Sequence, residues 1–277
     1  GSRSAPAAVT REPGDAPSRA LCVNGGCWFW AGVGESRTAS GAAARIGVHR
    51  PIPDPQSHAL AEVAIRGGPG ALDAIEVGWL VSPPRFGDTR PHLFVHRWVA
   101  GNACWEDCGF HPWSSRLAPG DPLDAWVGRG AAMGVVLSDG RWWVFFEDEW
   151  LGYFDATDWD ARLDRAESLQ WFGEVFTPHL PPRVPMGNGG AASQSTAARF
   201  DQVCDVPRPG ERCIVRDRRF AWATDGRWYG VVAESGASFR YGGPGEAAGK
   251  VTPPPPPSAA NAGTPPATET SVPSPPR

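Results

Sequence analysis

Two glutamates in apolar surroundings are the residues of this sequence best suited to chemistry. Glu174 lies in the stretch Leu169-Gln170-Trp171-Phe172-Gly173-Glu174-Val175-Phe176, and Glu76 lies in Ala74-Ile75-Glu76-Val77-Gly78-Trp79-Leu80-Val81. Both stretches have the alternation and the aromatic and β-branched content of strands. A carboxylate on such a strand is costly wherever its face is buried. Two of them, far apart in the chain, suggest carboxyls that meet in one cleft. Two carboxyls in one cleft do not both ionise easily, so one keeps its proton while the other loses it. A protonated and an ionised carboxyl together form an acid and a base, which is the equipment of hydrolysis.

Other candidates carry less. His92 and His96 stand four apart, but in a strand-like run with no third ligand nearby, and read as exposed strand histidines. Glu147, Asp148 and Glu149 read as a solvated acidic turn. The sequence holds no Gly-x-Ser-x-Gly nucleophile elbow and no phosphate-binding glycine loop. No metal or cofactor is expected.

The elements that must position Glu76 and Glu174 are short strands. Gly (34) and Pro (30) are abundant, which breaks the chain into many turns, while 41% hydrophobic residues suffice for a core. Strands are expected at Ala42 to Val48, Ala59 to Ile65, the Glu76 stretch, and His92 to Val99. Further ones follow at Trp126-Val127, Met133 to Leu137, Arg141 to Phe146 (after the Ser138-Asp139-Gly140 hairpin signal), and Trp150 to Phe154. The Glu174 stretch, Phe220 to Ala223, Trp228 to Val232 and Phe239 to Tyr241 complete the set. Trp159, Leu163 and Ala166 recur at helical spacing, so a single helix is expected near Asp158 to Ser168. The fold class that results is all-β, an antiparallel sandwich of two large sheets with one short helix.

Residues 1–20 are rich in Ala, Pro, Arg and Ser and read as a flexible leader or propeptide remnant. Residues 21–246 form the folded domain. Residues 247–277, with the run Pro253 to Pro257, read as a disordered Pro-rich tail or linker. Six cysteines fall into the close pairs Cys22/Cys27, Cys104/Cys108 and Cys204/Cys213, which read as disulfides made in an oxidising compartment. Paired in this way, they leave no thiol for catalysis. A net charge of −4 without any Lys/Arg run argues against a nucleic-acid partner. No stretch approaches the ~20 apolar residues of a membrane-spanning helix. Gly1-Ser2 has the form of a cloning scar, so the absence of a signal peptide here does not argue for the cytoplasm.

With these segments in order, the chain resembles the neprosin family of glutamic peptidases over about residues 28 to 245. The resemblance rests on Ile75-Glu76-Val77-Gly78-Trp79-Leu80-Val81-Ser82-Pro83, Phe86-Gly87-Asp88, Leu93-Phe94-Val95-His96-Arg97-Trp98 and Gly101-Asn102-Ala103-Cys104 through Cys108-Gly109-Phe110. It continues through Trp142-Trp143, Leu151-Gly152-Tyr153-Phe154, Trp171-Phe172-Gly173-Glu174-Val175, Met186-Gly187-Asn188-Gly189 and Tyr241-Gly242-Gly243-Pro244-Gly245.

The resemblance implies a two-sheet sandwich and a secreted endopeptidase, often made as a zymogen, active at acid pH and cutting after proline. It places the catalytic pair on Glu76 and Glu174. Trp79, Trp98, Trp171 and Tyr153, carried by the matched segments, are the aromatic residues expected to hold substrate. A peptide or protein substrate, proline-rich ones included, is the expected partner of a monomeric enzyme. The chain departs from the family pattern at Glu62 and Ala64, where Gln and Trp are usual, and at Phe154, which replaces a Trp-Pro pair. A different class of function, a non-catalytic carbohydrate-binding sandwich, would use Trp28, Trp30, Trp105, Trp113 and Trp150 as a stacking platform.

Overall fold

The computed structural model describes residues 20–23, 25–105, 108–159, 162–217, 219–247, 272–273 and 275–276. The expected leader, short of its last residue, and most of the expected tail lie outside these residues. In chain order the strands are β1 (Leu21–Val23), β2 (Gly26–Ala39), β3 (Gly41–Gly47), β4 (His58–Gly67), β5 (Asp73–Val81), β6 (His92–Val99), β7 (Asn102–Trp105) and β8 (His111–Pro112). They continue with β9 (Gly130–Ser138), β10 (Arg141–Phe146), β11 (Glu149–Asp155), β12 (Ala166–Thr177), β13 (Ala198–Asp205), β14 (Phe220–Ala223), β15 (Gly230–Ser235) and β16 (Ser238–Gly242).

These strands make two eight-stranded sheets. The first has the order β1-β2-β12-β4-β5-β6-β7, with β14 also pairing β2. The second runs β15-β16-β13-β3-β9-β10-β11-β8. The pairing of β12 with β2 and β4, and of β4 with β5, is antiparallel, as is that of β3 with β9 and β13. The expected antiparallel sandwich is therefore the fold that forms.

The strand period of two decides what each sheet buries. In the first sheet the odd-numbered residues point inward: Phe29, Ala31 and Val33 of β2, Ala61, Val63 and Ile65 of β4, Ile75, Val77 and Trp79 of β5, and Trp171 and Val175 of β12 all join the central core. From the second sheet come Ala42, Ala44, Val135, Trp142, Val144 and Phe200. Two indoles cross the gap: Trp79 Nε1 donates to Gly47 O (2.8 Å) and Trp171 Nε1 to Ala43 O (3.1 Å). A buried indole that finds an acceptor keeps its large apolar burial without a stranded donor.

Two local readings are corrected. No helix forms near Asp158 to Ser168: among the described residues of that segment, Asp158 and Trp159 belong to a turn and Ala166 opens β12. Trp159, Leu163 and Ala166 are nonetheless buried. Their spacing anchors a loop rather than a helix face, with Trp142 Nε1 donating to Leu163 O (2.6 Å) and Trp159 Nε1 to Trp98 O (2.7 Å). The short helix is instead Pro83–Phe86, α1, which begins on prolines and ends at Gly87 in the left-handed region. Trp126-Val127 is not a strand; Asp124–Trp126 is a single 3-10 turn.

The three expected disulfides, Cys22–Cys27, Cys104–Cys108 and Cys204–Cys213, are formed. No helix among the described residues is long and apolar enough to cross a membrane.

Candidate active site

The outer face of the first sheet carries the glutamates, and β4 sets their spacing. Opposite β4, Glu174 of β12 pairs with Leu60 and Glu76 of β5 pairs with Ala64. Glu62, midway along β4, is level with Phe172 on one side and Gly78 on the other. All of these positions are even-numbered, so all three carboxyls project from one face. Glu62 is a diagonal neighbour of both Glu76 and Glu174, which puts each Cα pair roughly 7–8 Å apart. Glu76 and Glu174 are two strands and four residues apart, roughly 16 Å between Cα atoms. Both side chains therefore reach Glu62 before they reach each other. The expectation of a proton shared directly by Glu76 and Glu174 is revised to a row of three carboxyls with Glu62 in the middle.

Gly78 makes this close arrangement possible. A Cβ there would collide with the Ala61 carbonyl oxygen and the Glu62 Cα. Apolar clusters wall the row on both sides. Ala64, Phe172 and Trp222, with Trp30 and Phe220 against them, stand toward β2, while Leu60, Leu80 and Phe94, with Phe86 and Trp105, stand toward β6.

Each end of the row is tethered. Trp30 Nε1 donates to Glu174 Oε2 (2.5 Å), and His58 Nε2 lies 2.9 Å from Oε1, so both carboxyl oxygens are oriented. Trp30 is itself fixed from the residue after β14, its backbone N–H donating to Thr224 Oγ1 (2.8 Å) and its carbonyl accepting from Thr224 N (2.9 Å). At the other end, His96 Nδ1 meets Glu76 Oε2 at 2.9 Å and Arg66 Nη2 lies 3.5 Å from Oε1. Arg66 also donates from Nε to Gln170 Oε1 (3.1 Å). His96 is held between Trp98 and Trp105, with ring centroids 5.1 and 4.4 Å away.

The electrostatics separate neighbours in the row. Burial pushes the Glu76 carboxyl up, but the hydrogen bond and charge of His96, with Arg66 and the Trp98 indole, outweigh it and hold Glu76 below the ordinary range. Glu62, only 2% exposed, is pushed well above that range by burial first and then by the charges of Glu76 and Glu174, with Arg66 opposing. Neighbouring carboxyls on one strip of sheet are thus pushed in opposite directions, Glu76 toward its charged form and Glu62 toward its neutral one.

The neprosin family pattern matches residues 55–244, which contain the whole row. The chain belongs to the neprosin family. Membership supports a glutamic-type peptidase, a hydrolase acting on peptide or protein substrates. Among solved structures, scytalido-glutamic peptidase with a peptide-based transition-state analogue aligns at 10% identity and TM-score 0.46, over 77% of this chain and 97% of that one. An eqolisin-family peptidase bound to a tripeptide aligns at 11% and 0.45, over 77% and 96%. A carbohydrate-binding module from Bacillus subtilis aligns at 11% and 0.32, over 56% and 81%.

The expected aromatic residues divide. Trp98 shares the outer face with Glu76 and is partly exposed. Trp79 and Trp171 are corrected: both are fully buried between the sheets, because their odd positions turn them away from the carboxyls. Tyr153 is also corrected. It stacks on His111 (4.9 Å) on the outer side of the second sheet, away from the row. The five tryptophans of a carbohydrate platform do not gather either: Trp28, Trp30 and Trp105 belong to the first sheet, whereas Trp113 and Trp150 pack on Trp143 of the second.

His92 and His96 are buried rather than exposed, because each has a carboxylate partner, Asp88 for His92 and Glu76 for His96. Sequence reasoning missed His58, Arg66 and Trp30 as partners of the glutamates. The available signal was the shared even phase of His58, Glu62 and Arg66 along β4.

Proposed function

We propose that this protein is a secreted glutamic endopeptidase that hydrolyses peptide bonds at acid pH, preferentially after proline, with Glu76 and Glu174 carrying the chemistry. The observation that supports this reading most is the placement of both glutamates, in a neprosin-family chain, on one outer face of one sheet. Glu76, held charged by His96 and Arg66, is suited to accept a proton from the attacking water. Glu174 takes the complementary part: in its protonated form its carboxyl, aimed by Trp30 and His58, donates a hydrogen bond to the scissile carbonyl and then gives that proton to the departing nitrogen.

Trp98, Trp105 and Trp30 flank the row and offer flat faces to the rings of a proline-rich substrate. Three disulfides fit export to an oxidising compartment. The reading is tested by digesting a peptide library at about pH 4, close to where free Glu titrates (~4.3), and sequencing the products by mass spectrometry. Cuts clustered after proline are expected. Intact peptides over the whole acid range would end the assignment, and cuts without proline preference would remove the specificity.

A further inference from the structure

The middle carboxyl of the row is one that the two-glutamate reading does not use. Glu62 is almost wholly buried, yet it projects from the same face as the glutamates on either side, one strand away from each. Gly78 is its pairing partner on β5, and no side chain there separates it from Glu76. The groups that face it are few. From β12 come Glu174 and Gln170, from β5 Glu76, from β6 His96, and along β4 itself His58 and Arg66. Of the basic groups, His58 is engaged by Glu174, while Arg66 and His96 are both engaged by Glu76. A negative charge at Glu62 would therefore stand beside that of Glu76 on one narrow strip, without a counter-ion of its own.

We propose that Glu62 is a positioning residue of this site: its protonated carboxyl bridges Glu76 and Glu174, and loss of that proton switches the site off. This rests on the peptidase reading given above. In the protonated state the Glu62 O–H donates to a neighbouring carboxylate, and its carbonyl oxygen remains as an acceptor. That bond keeps one glutamate charged while sparing the other from like-charge repulsion. Once Glu62 ionises, it has only acceptors to offer, and the repulsion spreads Glu76 and Glu174 away from their working positions. The electrostatic environment agrees, since burial and both flanking charges favour the proton on Glu62.

The substitution that tests this is Glu62→Gln, which keeps a donor and an acceptor but cannot ionise. At acid pH its kcat/KM is expected within about threefold of the wild type, because a single neutral bridging hydrogen bond is retained. Its activity should persist at least one pH unit further on the alkaline side. A profile that superimposes on the wild type would overturn the proposal. So would a loss as deep as that of Glu76→Gln at every pH, which would make Glu62 a participant in bond breaking. Infrared spectroscopy of the full chain gives a readout independent of activity. A protonated carboxyl band surviving above the ordinary Glu value of ~4.3, and absent from Glu62→Gln, is expected. Its absence from the wild type would overturn the bridging role even if the variant did not fold. If that band is present but the wild type cleaves no peptide, the bridge stands and the peptidase reading fails.

Discussion

The two sheets match in size, and both face the same core, but their outer faces are built on different terms. The second sheet's outer face is aromatic: Trp143, Phe145 and Trp150 pack with Val136, Val206 and the Cys204 sulfur, and Val272 of the distant C-terminal segment lies against them. At its margins Glu147 pairs with Arg45 and Glu149 with Arg116. The first sheet's outer face instead buries Glu62, Glu76 and His96 among its apolar clusters. Burying polar groups to this degree weakens a fold unless each is matched by a partner. A stability-driven face would look like the second sheet. The first sheet accepts the penalty where its carboxyls are needed.

This contrast can be broken or sharpened by substitution. The largest effect is expected on the first sheet. Glu76→Gln or Glu174→Gln should lower kcat about 10³-fold, the scale of a lost acid–base group, with the circular dichroism spectrum unchanged. Gly78→Ala should come next, since the added methyl forces β4 and β5 apart. A loss of stability of about 1–3 kcal/mol in urea unfolding is expected, together with a fall in kcat of up to about 100-fold from misplaced carboxyls. Trp30→Phe, which removes the indole N–H that Glu174 accepts from along with part of the ring, should cost about tenfold in kcat/KM, the scale of a lost hydrogen bond. Tyr153→Phe on the second sheet should leave kcat/KM within about twofold, in keeping with substitutions remote from a site; a large loss there would erase the distinction between the faces.

The pH dependence should also carry the signature of the first sheet. His96 and Arg66 depress Glu76, so its contribution to stability is present above the ordinary Glu range and is lost as pH falls through its lowered value. His96→Gln removes a depressing partner, so the acid limb of the activity profile should move to higher pH. Glu62 has the opposite sign. Its raised value means that the folded state binds more protons than the unfolded one, so stability falls as pH rises above the ordinary Glu range. Glu62→Gln should therefore melt at a higher temperature than the wild type at neutral pH and at nearly the same temperature at about pH 3, below the ordinary Glu value.

Much of this was legible from the residues. Strands dense in aromatic and β-branched residues, such as Arg141–Phe146 and His92–Val99, form where expected. The strand β13 was hidden because Cys204 drew attention to the loop it closes, and β2 because only its first aromatic residues stood out. The spacing of Trp159, Leu163 and Ala166 was misleading, because burial at three- and four-residue intervals also arises in a loop pinned by backbone hydrogen bonds. The glutamates themselves were found because a carboxylate between apolar neighbours is conspicuous. Their spacing was not, since register across β4 is a property of pairing that neither strand encodes alone. The same gap explains Trp79 and Trp171: each stands three residues from its glutamate, and an odd separation along a strand sends it to the opposite face.

The claim that the first sheet's outer face is where peptide bonds are broken is tested most directly by a crystal structure of the enzyme with a non-hydrolysable proline-containing peptide. The account predicts the peptide lying over β12, β4 and β5, with the carbonyl of its uncleaved bond above the row from Glu174 through Glu62 to Glu76. A peptide bound along β10 and β11, or anywhere its carbonyl is remote from those three carboxyls, would contradict it.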